Sequence, residues 1–319
     1  MTVLVIADVD RGVLDPTTLQ AVTAARALDP QVDVLVAAAD GAGVAGELAA
    51  YGASTVHVAT GDGLSDYAPQ AAARAAVELI GSLSPKAVIA VGTPRGNEVL
   101  AHVAAILDVP FAAECAEITL GDGSHAIVRN RWGGNVLETS TVHSDLLVAS
   151  YTAHTVKAEP AAGAGTVVEF SPALSPADTV VRVVDRAGEA ASGVGLAEAR
   201  VIVSGGRGVG SAEGFAPLDE LAELLGGAVG CSRVVTSNGW RPHAEQVGQT
   251  GTKVAPDLYI AAGISGATQH IAGMRTSKTI VAINTDKDAP IMGYAHYAIV
   301  GDVSTILPAL VAATRAAKE

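Results

Sequence analysis

Two glycine-rich clusters in the last third of the chain constrain the fold most strongly. They read VIVSGGRGVGS at residues 201–211 and VGQTGTKVAPDLYIAAGISGATQH at residues 247–270. Each adjoins an apolar run of strand length and precedes a segment of helical pattern, which directs backbone N–H groups and a helix N-terminus at one point. The spacing predicts a phosphate-binding turn. An ordinary tight strand-to-helix connection also fits, because Ser211 stands where the dinucleotide fingerprint has its third glycine.

Length and composition favour two α/β domains. A chain of 319 residues is long enough for two domains with their own cores. Hydrophobic residues make up 49% of the chain but aromatic residues only 3%, so the cores must consist of Ala, Val, Ile and Leu. Such cores are typical of parallel sheets covered by helices. The net charge of −13 and the lack of clustered Lys and Arg argue against nucleic acid as a partner.

The N-terminus and the cysteines indicate a cytoplasmic protein. The first apolar run reaches Asp8, Asp10 and Arg11 too soon for a signal peptide and therefore predicts a strand. No stretch approaches the length of about 18 uncharged apolar residues that a membrane span needs. Cys115 and Cys231 lack CxxC spacing and clustered histidines, which predicts buried, reduced thiols and neither a disulfide nor a metal site.

The N-terminal half alternates strand-length apolar runs with helical patterns. This order predicts parallel strands at residues 2–10, 32–40, 54–60 and 86–92, joined by helical crossovers. Residues 114–120, 125–142 and 145–156 alternate polar and apolar side chains, which predicts antiparallel additions to the sheet. The turn at residues 93–97 follows a strand and fits either a ligand loop or a plain turn with a solvated Arg95.

A shift to Ala, Gly and Pro between residues 157 and 200 marks a domain boundary, which we place at residues 188–196. The predicted domains are residues 1–190 and 195–319. In the second domain, strand 199–205, helix 215–227, strands 228–237 and 257–266, helix 267–274, strands 279–286 and 297–302 and helix 303–319 follow one another. The order β-α-β-β-α-β-β-α predicts a doubly wound unit.

Six motifs of the second domain carry a family resemblance. SGGRG, CSR, VGQTG, YIAAGISGATQH, AINTD and YAIVGD occur in this order between residues 204 and 302. Together they closely resemble the alpha subunit of electron transfer flavoprotein, strongly over residues 201–310 and more weakly over residues 1–155. The resemblance implies an N-terminal parallel-sheet, nucleotide-hydrolase-like domain that packs against a partner subunit. It also implies a C-terminal doubly wound FAD-binding domain of the deoxyhypusine-synthase-like type.

The resemblance further implies an electron carrier without substrate turnover of its own. Its cofactor would be FAD, and its partner a beta subunit that holds AMP. Electrons would come from flavin dehydrogenases, such as the acyl-CoA dehydrogenases of fatty acid beta-oxidation, and would pass to a membrane-linked quinone reductase or a similar acceptor. Two other functions stay open: a nucleotide-sensing module, and an NAD-dependent enzyme on the same fold, which would need a catalytic base such as Lys253 or Lys278.

The residues themselves favour cofactor binding over acid–base chemistry, because no Ser-His-Asp order or carboxylate pair suggests hydrolysis. Arg207 within the first glycine cluster fits a phosphate or a flavin edge, or a surface loop. Arg233 follows Ser232 in an apolar run, so we expect it to be buried beside an anionic or aromatic partner, with a structural ion pair as the alternative. Considered without the family resemblance, His270 fits a core histidine as well as a cofactor contact.

By resemblance, three residues tune the flavin: Arg233 beside the isoalloxazine, Thr250 near its N5 and His270 near its O2. Ser265, Gly266 and Ala267 would hold the pyrophosphate, and the adenosine would meet Asn284 and Asp302. The full implied FAD site comprises Arg207, Ser232, Arg233, Val247, Gly248, Gln249, Thr250, Ser265, Gly266, Ala267, Thr268, Gln269, His270, Asn284, Asp302 and Val303. The sequence departs from the family's usual pattern at residues 241–246 and 295–296, which puts the local loop conformation in doubt.

Overall fold

A computed structural model of the protein describes residues 2–134, 136–185 and 195–318. The chain divides into two compact units, residues 1–188 and 189–319. Most of the boundary that the sequence predicts at residues 188–196 lies outside the described residues, so the domain limits 1–190 and 195–319 stay a prediction. No helix among the described residues is long and apolar enough to cross a membrane.

The first unit begins with strands and helices in alternation and ends with mostly β-structure. Its strands are β1 Val3–Ile6, β2 Val9–Asp10, β3 Val13–Leu14, β4 Val32–Ala37, β5 Thr55–Ala59, β6 Ala87–Val91, β7 Phe111–Thr119, β8 His125–Arg131, β9 Val136–Val142, β10 Leu147–Tyr151 and β11 Thr166–Phe170. Its helices are α1 Thr17–Leu28, α2 Ala45–Ala49, α3 Pro69–Leu83 and α4 Pro94–Leu107.

Nine of these strands form one sheet in the order β11-β5-β4-β1-β6-β10-β7-β8-β9. Only the β7–β8 and β8–β9 pairs of this sheet are antiparallel. The sequence prediction is therefore confirmed for residues 114–120 and 125–142 but wrong for residues 145–156. Strand β10 lies between β6 and β7, parallel to both, and all five of its residues are buried. Its burial on both faces is what a central parallel strand requires.

Helices cover both faces of this sheet, as strand β1 illustrates. Val3 and Val5 belong to one buried cluster, which includes side chains of α1, while Leu4 and Ile6 belong to a second cluster with α3 and α4. Successive side chains of a strand point to opposite faces, so a strand that is apolar throughout must lie between two layers of helices. The predicted mixed α/β fold with a parallel-rich sheet is confirmed.

The second unit is a smaller parallel sheet with helices. Its strands are β12 Val201–Gly205, β13 Ala228–Cys231, β14 Leu258–Ala262, β15 Thr279–Asn284 and β16 Tyr297–Val300, and its helices are α5 Ala216–Leu225, α6 Arg233–Ser237, α7 Thr268–Met274 and α8 Val303–Ala316. The strand order is β13-β12-β14-β15-β16, and every pair is parallel. From β12 the chain first adds β13 on one side and then β14 on the other, so its direction of winding reverses between β12 and β14. In open α/β sheets, ligands bind where the winding reverses.

Two local predictions need correction. Residues 228–237 were expected to be one strand, but the strand ends at Cys231 and residues 233–237 form helix α6. The short helix buries Val235 and leaves Arg233 exposed, so burial of one side chain outweighs the β-propensity of the Val-Val-Thr run. In the first unit, the expected turn at residues 93–97 is instead the start of α4, with Thr93 as N-cap accepting a hydrogen bond from the Gly96 amide.

Candidate functional site

The predicted site residues gather at one edge of the second sheet. Because all five strands are parallel, the segments that follow them emerge at the same edge, their carboxyl ends. Arg207 follows β12, Ser232 and Arg233 follow β13, and Ser265 follows β14. Asn284 ends β15, and Asp302 with Val303 follows β16. The structure therefore brings together loops that are separated by up to nearly a hundred residues of sequence.

The two glycine clusters meet directly at the point where the winding reverses. The Gly208 amide donates to the Gly263 carbonyl at 2.9 Å, and the Gly206 amide donates to the Ala262 carbonyl at 2.9 Å. A Cβ atom on Gly208 would lie 2.7 Å from the Gly263 Cα, and Gly263 itself has a φ of +63°. Glycine is required here because two backbones approach in contact. Arg207 extends from this junction with an exposed side chain.

The VGQTG segment lies beside β13 and is joined to helix α7. The Val247 amide donates to the Cys231 carbonyl at 2.9 Å, which buries Val247. The Gln249 amide donates to the Gln269 carbonyl at 2.7 Å. Gly248, with a φ of +147°, packs so closely that a Cβ on Gly273 of α7 would lie 2.4 Å from its Cα. These contacts place the exposed Gln249 and Thr250 next to the first turn of α7.

Gln246 is a supporting residue that sequence reasoning missed. Its side chain is 2% exposed, accepts a hydrogen bond from the Thr236 hydroxyl at 2.7 Å and donates one to the Thr250 hydroxyl at 3.0 Å. A hydroxyl has one hydrogen and two lone pairs, so the Thr250 oxygen can accept from Gln246 while its hydrogen donates to another group. The sequence itself shows only a glutamine immediately before VGQTG, and its burial is evident from the structure alone.

Residues 241–246, where the sequence departs from the family pattern, are well anchored. Arg241 donates two hydrogen bonds to Asp219 of α5, at 2.9 and 3.1 Å, and two to Glu245, at 2.5 and 3.0 Å. Its guanidinium also lies 5.4 Å from the centre of the Phe215 ring. Bidentate pairing fixes a planar guanidinium in orientation as well as position. The different sequence at residues 241–246 therefore forms a defined loop attached to α5.

Ser232 and Arg233 begin helix α6 and differ in burial. The Ser232 hydroxyl oxygen is buried and has no hydrogen-bond partner within the described ranges. Arg233, which we expected to be buried, is exposed. The apolar run that suggested burial turns its Val235 inward and its arginine outward, because the run is helical and not extended.

His270 is buried at the first turns of α7, with 6% of its surface exposed. Its Nε2 lies 2.9 Å from the Tyr259 hydroxyl oxygen, whereas its buried Nδ1 has no partner in hydrogen-bond geometry among the described residues. Burial lowers the pKa of His270 to about 4, and the backbone carbonyl of Val247 opposes this shift. The ring is neutral at neutral pH. The free energy of unfolding should decrease as the pH falls from 6.5 towards 4, where only the unfolded chain takes up the proton.

The turn before α7 exposes Ser265 and Ala267, and the first two residues of α7, Thr268 and Gln269, are exposed as well. Gly266, between Ser265 and Ala267, is buried, with a φ of +86°. A Cβ atom there would lie 2.3 Å from the Ile291 backbone nitrogen. The tight turn thus leaves small and polar groups at the surface, with the backbone of the turn held against residue 291.

Asn284 and Asp302 both have structural hydrogen bonds. The Asn284 side chain donates to the Ile264 carbonyl at 2.9 Å and accepts from the Asp286 amide at 3.0 Å. Asp302 is the N-cap of α8 and accepts from the Ser304 hydroxyl at 2.7 Å and the Ser304 amide at 2.8 Å, and these bonds lower its pKa. Val303, the first residue of α8, is buried. The structure places these residues at the same edge, but part of their polar capacity already serves the fold.

A second cleft lies in the first unit, at the carboxyl ends of β1 and β6, where that sheet also reverses its winding. Its polar groups satisfy one another. Arg95 lies 3.5 Å from Asp8 and 3.1 Å from Asp10, the Thr93 hydroxyl donates to Asp8 at 3.2 Å, and Arg95 stacks 4.8 Å from the centre of the Tyr67 ring. The charged side chains at this cleft are therefore paired with one another.

Comparison with known proteins agrees with the geometry. A family model described as an electron transfer flavoprotein domain matches residues 3–175, and one described as an electron transfer flavoprotein FAD-binding domain matches residues 195–275. The chain belongs to the electron transfer flavoprotein alpha subunit family. The alpha subunits of Mycobacterium leprae and Bacillus subtilis are 37% and 36% identical, over 99% and 97% of this chain and 98% and 95% of theirs. Protein FixB of Bradyrhizobium diazoefficiens is 36% identical over 98% of this chain and 88% of its own.

The electron transfer flavoprotein assignment establishes FAD as the cofactor and a beta subunit as the family's partner. The matched FAD-binding range includes the two glycine clusters, Ser232, Arg233 and His270, and ends before Asn284, Asp302 and Val303. The residues present fit FAD. Close to the exposed loops lie two buried polar atoms, Ser232 Oγ and His270 Nδ1, that have no partner among the described residues, and such atoms are rare unless a ligand or water satisfies them.

Proposed function

We propose that this alpha subunit holds FAD along the carboxyl edge of its second sheet and carries electrons without turning over a substrate of its own. The observation that carries the proposal is the meeting of the two glycine clusters at the reversal of winding, beside Ser232 Oγ and His270 Nδ1, two buried atoms that no described residue satisfies. The bound flavin supplies the redox chemistry, and the protein supplies binding, orientation and electrostatics.

The exposed positions divide by the part of FAD that they suit. Ser265, Gly266 and Ala267, with Thr268 and Gln269 of α7, offer a tight turn with backbone N–H groups for the pyrophosphate. Arg207 offers a guanidinium to a phosphate or the flavin edge. Asn284, Asp302 and Val303 lie where the adenosine would end.

The flavin ring suits the other side of the site, at β13 and α7. Val247 and Gly248 would form the floor under the ring, and Gln249 and Thr250 its polar rim, with the Thr250 hydrogen available to a flavin acceptor. Ser232 and His270 would each offer a buried polar atom, and the exposed Arg233 a positive charge. Arg233, Thr250 and His270 are the residues that we expect to tune the flavin.

The proposal extends to the proteins with which this alpha subunit exchanges electrons and to its beta subunit. Electrons arrive from flavin dehydrogenases, such as acyl-CoA dehydrogenases, and leave to a membrane-linked quinone reductase or a similar acceptor, with the heterodimer in the cytoplasm and AMP in its beta subunit. The first unit exposes apolar side chains on the β8–β9 hairpin: Trp132 is 84% exposed and Leu137 65%. Apolar side chains exposed together mark a surface for a protein partner, which we take to be the beta subunit.

An NAD-dependent enzyme on this fold is less well supported. Lys278, one of the two lysines that could act as a catalytic base, pairs with Asp257. These two residues immediately precede β15 and β14, so they lie at the amino edge of the parallel sheet, opposite the proposed site.

Purification of the chain together with its beta subunit tests the function. We expect the heterodimer to show the visible absorbance of a flavin, to release FAD on denaturation and to be reduced by a flavin dehydrogenase with its substrate. A colourless heterodimer that binds AMP or ADP would support a nucleotide sensor instead, and release of NAD would support the enzyme.

Arg233→Ala should impair redox function and spare the fold. The side chain is exposed, so we expect the free energy of unfolding to change by no more than about 0.5 kcal/mol. Loss of a positive charge beside the flavin should lower its reduction potential, measured by spectroelectrochemical titration of the heterodimer. Arg200→Ala is the matched control, because it removes the same charge from an exposed position at the opposite edge of the sheet. An unchanged potential with FAD still bound would show that Arg233 plays no part in tuning.

A further inference from the structure

Tyr259 and His270 form a hydrogen-bonded pair inside the second unit. Tyr259 lies on β14 with its side chain fully buried, and its hydroxyl oxygen is 2.9 Å from His270 Nε2. The two rings are tilted by 59° with their centroids 6.1 Å apart, so they meet edge to edge and do not stack. The hydrogen bond connects the core of the sheet to the first turns of α7, the helix at the proposed flavin site.

Both members of the pair are electrically neutral at neutral pH. Burial lowers the pKa of His270 to about 4, so its ring carries a single N–H. Burial raises the pKa of Tyr259 above its usual value, so the phenol keeps its hydrogen. The state of the pair is therefore decided by which of the two groups donates in the bond.

The surroundings favour Tyr259 as the donor. The phenol has one hydrogen, and the described acceptor in hydrogen-bond geometry is His270 Nε2. The Ser204 hydroxyl lies near Tyr259 and shifts its pKa, but within the described part of the chain Ser204 Oγ reaches no partner in that geometry, so it is a near neighbour and not the acceptor. If His270 Nε2 carried the hydrogen, the Tyr259 hydrogen would be left buried without an acceptor, which costs more than the bond itself contributes.

The other ring nitrogen then carries the hydrogen. When Nε2 accepts, a neutral imidazole must have its N–H at Nδ1, since the bond at one nitrogen sets the tautomer of the ring. Nδ1 is the buried atom that has no partner in hydrogen-bond geometry within the described ranges. The Val247 carbonyl stabilises the protonated form of the ring and does not distinguish the two nitrogens of the neutral form.

We propose that Tyr259 is a positioning residue that fixes His270 as its Nδ1–H tautomer, so that Nδ1 presents a hydrogen-bond donor to the FAD. The inference rests on the proposed function only for the identity of the acceptor, because the tautomer itself belongs to this chain. Tyr259 does not touch the cofactor in this account, and it acts through His270.

The tautomer is measured directly by nitrogen NMR of the heterodimer labelled at histidine, with FAD bound. The signals of His270 are those that disappear in His270→Asn. We expect wild type to show a protonated Nδ1 and an unprotonated Nε2, and Tyr259→Phe to shift the ring to Nε2–H or to a mixture. Tyr151→Phe, which removes the hydroxyl of a buried tyrosine in the first unit, should leave His270 unchanged. Nε2–H in wild type, or Nδ1–H retained in Tyr259→Phe, would overturn the inference.

A double-mutant cycle tests the consequence for the cofactor. Tyr259→Phe should weaken FAD binding by about two- to tenfold, the range for one hydrogen bond. His270→Asn places an amide donor near the position of Nδ1 without needing Tyr259, whereas His270→Gln places its amide near Nε2. We therefore expect His270→Asn to bind FAD more tightly than His270→Gln, and Tyr259→Phe to have no further effect in the His270→Asn background.

The cycle separates the inference from the function on which it rests. An additional loss of the same size when Tyr259→Phe is combined with His270→Asn would show that Tyr259 acts through stability, and the positioning role would be rejected. If wild type itself binds no FAD, the proposed function fails, while the tautomer in the FAD-free heterodimer still decides whether Tyr259 controls His270.

Discussion

Gly273→Ala should abolish FAD binding in the heterodimer, although the substitution adds one methyl group. A Cβ atom on Gly273 of α7 would lie 2.4 Å from both the Cα and the backbone nitrogen of Gly248. Backbone atoms cannot rotate away as a side chain can, so either α7 or the VGQTG segment must move. Overpacking of this kind costs about 1–3 kcal/mol of stability, and the movement separates Gln249 and Thr250 from the first turn of α7. Fluorescence titration of the FAD-free heterodimer with FAD measures the effect.

The matched control is Gly81→Ala, in helix α3 of the first unit. Gly81 also lies near the end of a helix, but apart from its chain neighbours and the backbone of its own helix no described atom lies within 4 Å of the position that its Cβ would take. Alanine favours a helix more than glycine does, so this variant should be about 0.5–1 kcal/mol more stable and should bind FAD normally. Wild-type FAD affinity in Gly273→Ala would show that the contact between α7 and VGQTG does not shape the site.

His270→Ala should lower the reduction potential of the bound flavin by about 60–130 mV. The estimate takes about 1.5–3 kcal/mol for a hydrogen bond to a charged group and about 59 mV for each tenfold change in a one-electron equilibrium. His270 Nδ1 has no partner among the described protein atoms, so a donor to the reduced, negatively charged flavin is lost on substitution. Spectroelectrochemical titration of the heterodimer measures the shift.

The alternative for His270 is a purely structural histidine, and the same titration separates the two roles. A core histidine would lower the melting temperature on substitution and leave the potential where it was. His243→Ala removes an exposed imidazole from the same unit and should change neither quantity. A shift in potential below about 20 mV in His270→Ala, well under the range estimated from the hydrogen bond, would contradict the flavin contact.

Sequence alone predicted the parallel sheets because strands covered on both faces must be apolar throughout. Residues 3–6 and 201–205 carry that signal without help from the rest of the chain. Strand β10 was wrongly predicted to be antiparallel because the polar Ser150 suggested an alternation of polar and apolar residues. Ser150 is buried, accepts from the Glu114 amide and donates to Asn97, so its polarity is satisfied inside the protein.

The details of the site depended on contacts that sequence spacing does not contain. The Val-Val-Thr run after Arg233 favours a strand by local preference, but packing of Val235 in the core selects helix α6. Similarly, the sequence pattern placed Tyr259 in a strand and indicated no further role for it. Its hydrogen bond to His270 depends on how α7 crosses the sheet, which only the folded chain determines. The glycine clusters were predictable because glycine is the residue that permits tight turns and close backbone approach, whereas the supporting residues carry no such signal in their type.

Hydrogen–deuterium exchange of the heterodimer, with and without FAD, tests most directly whether the cofactor lies at the carboxyl edge of the second sheet. We predict slower exchange with FAD in three segments, residues 206–210, 247–251 and 263–270, and no change at residues 90–97, which line the cleft of the first unit. Protection at residues 6–10 and 90–97 with no change in the glycine clusters would place the cofactor in the first unit and contradict this account.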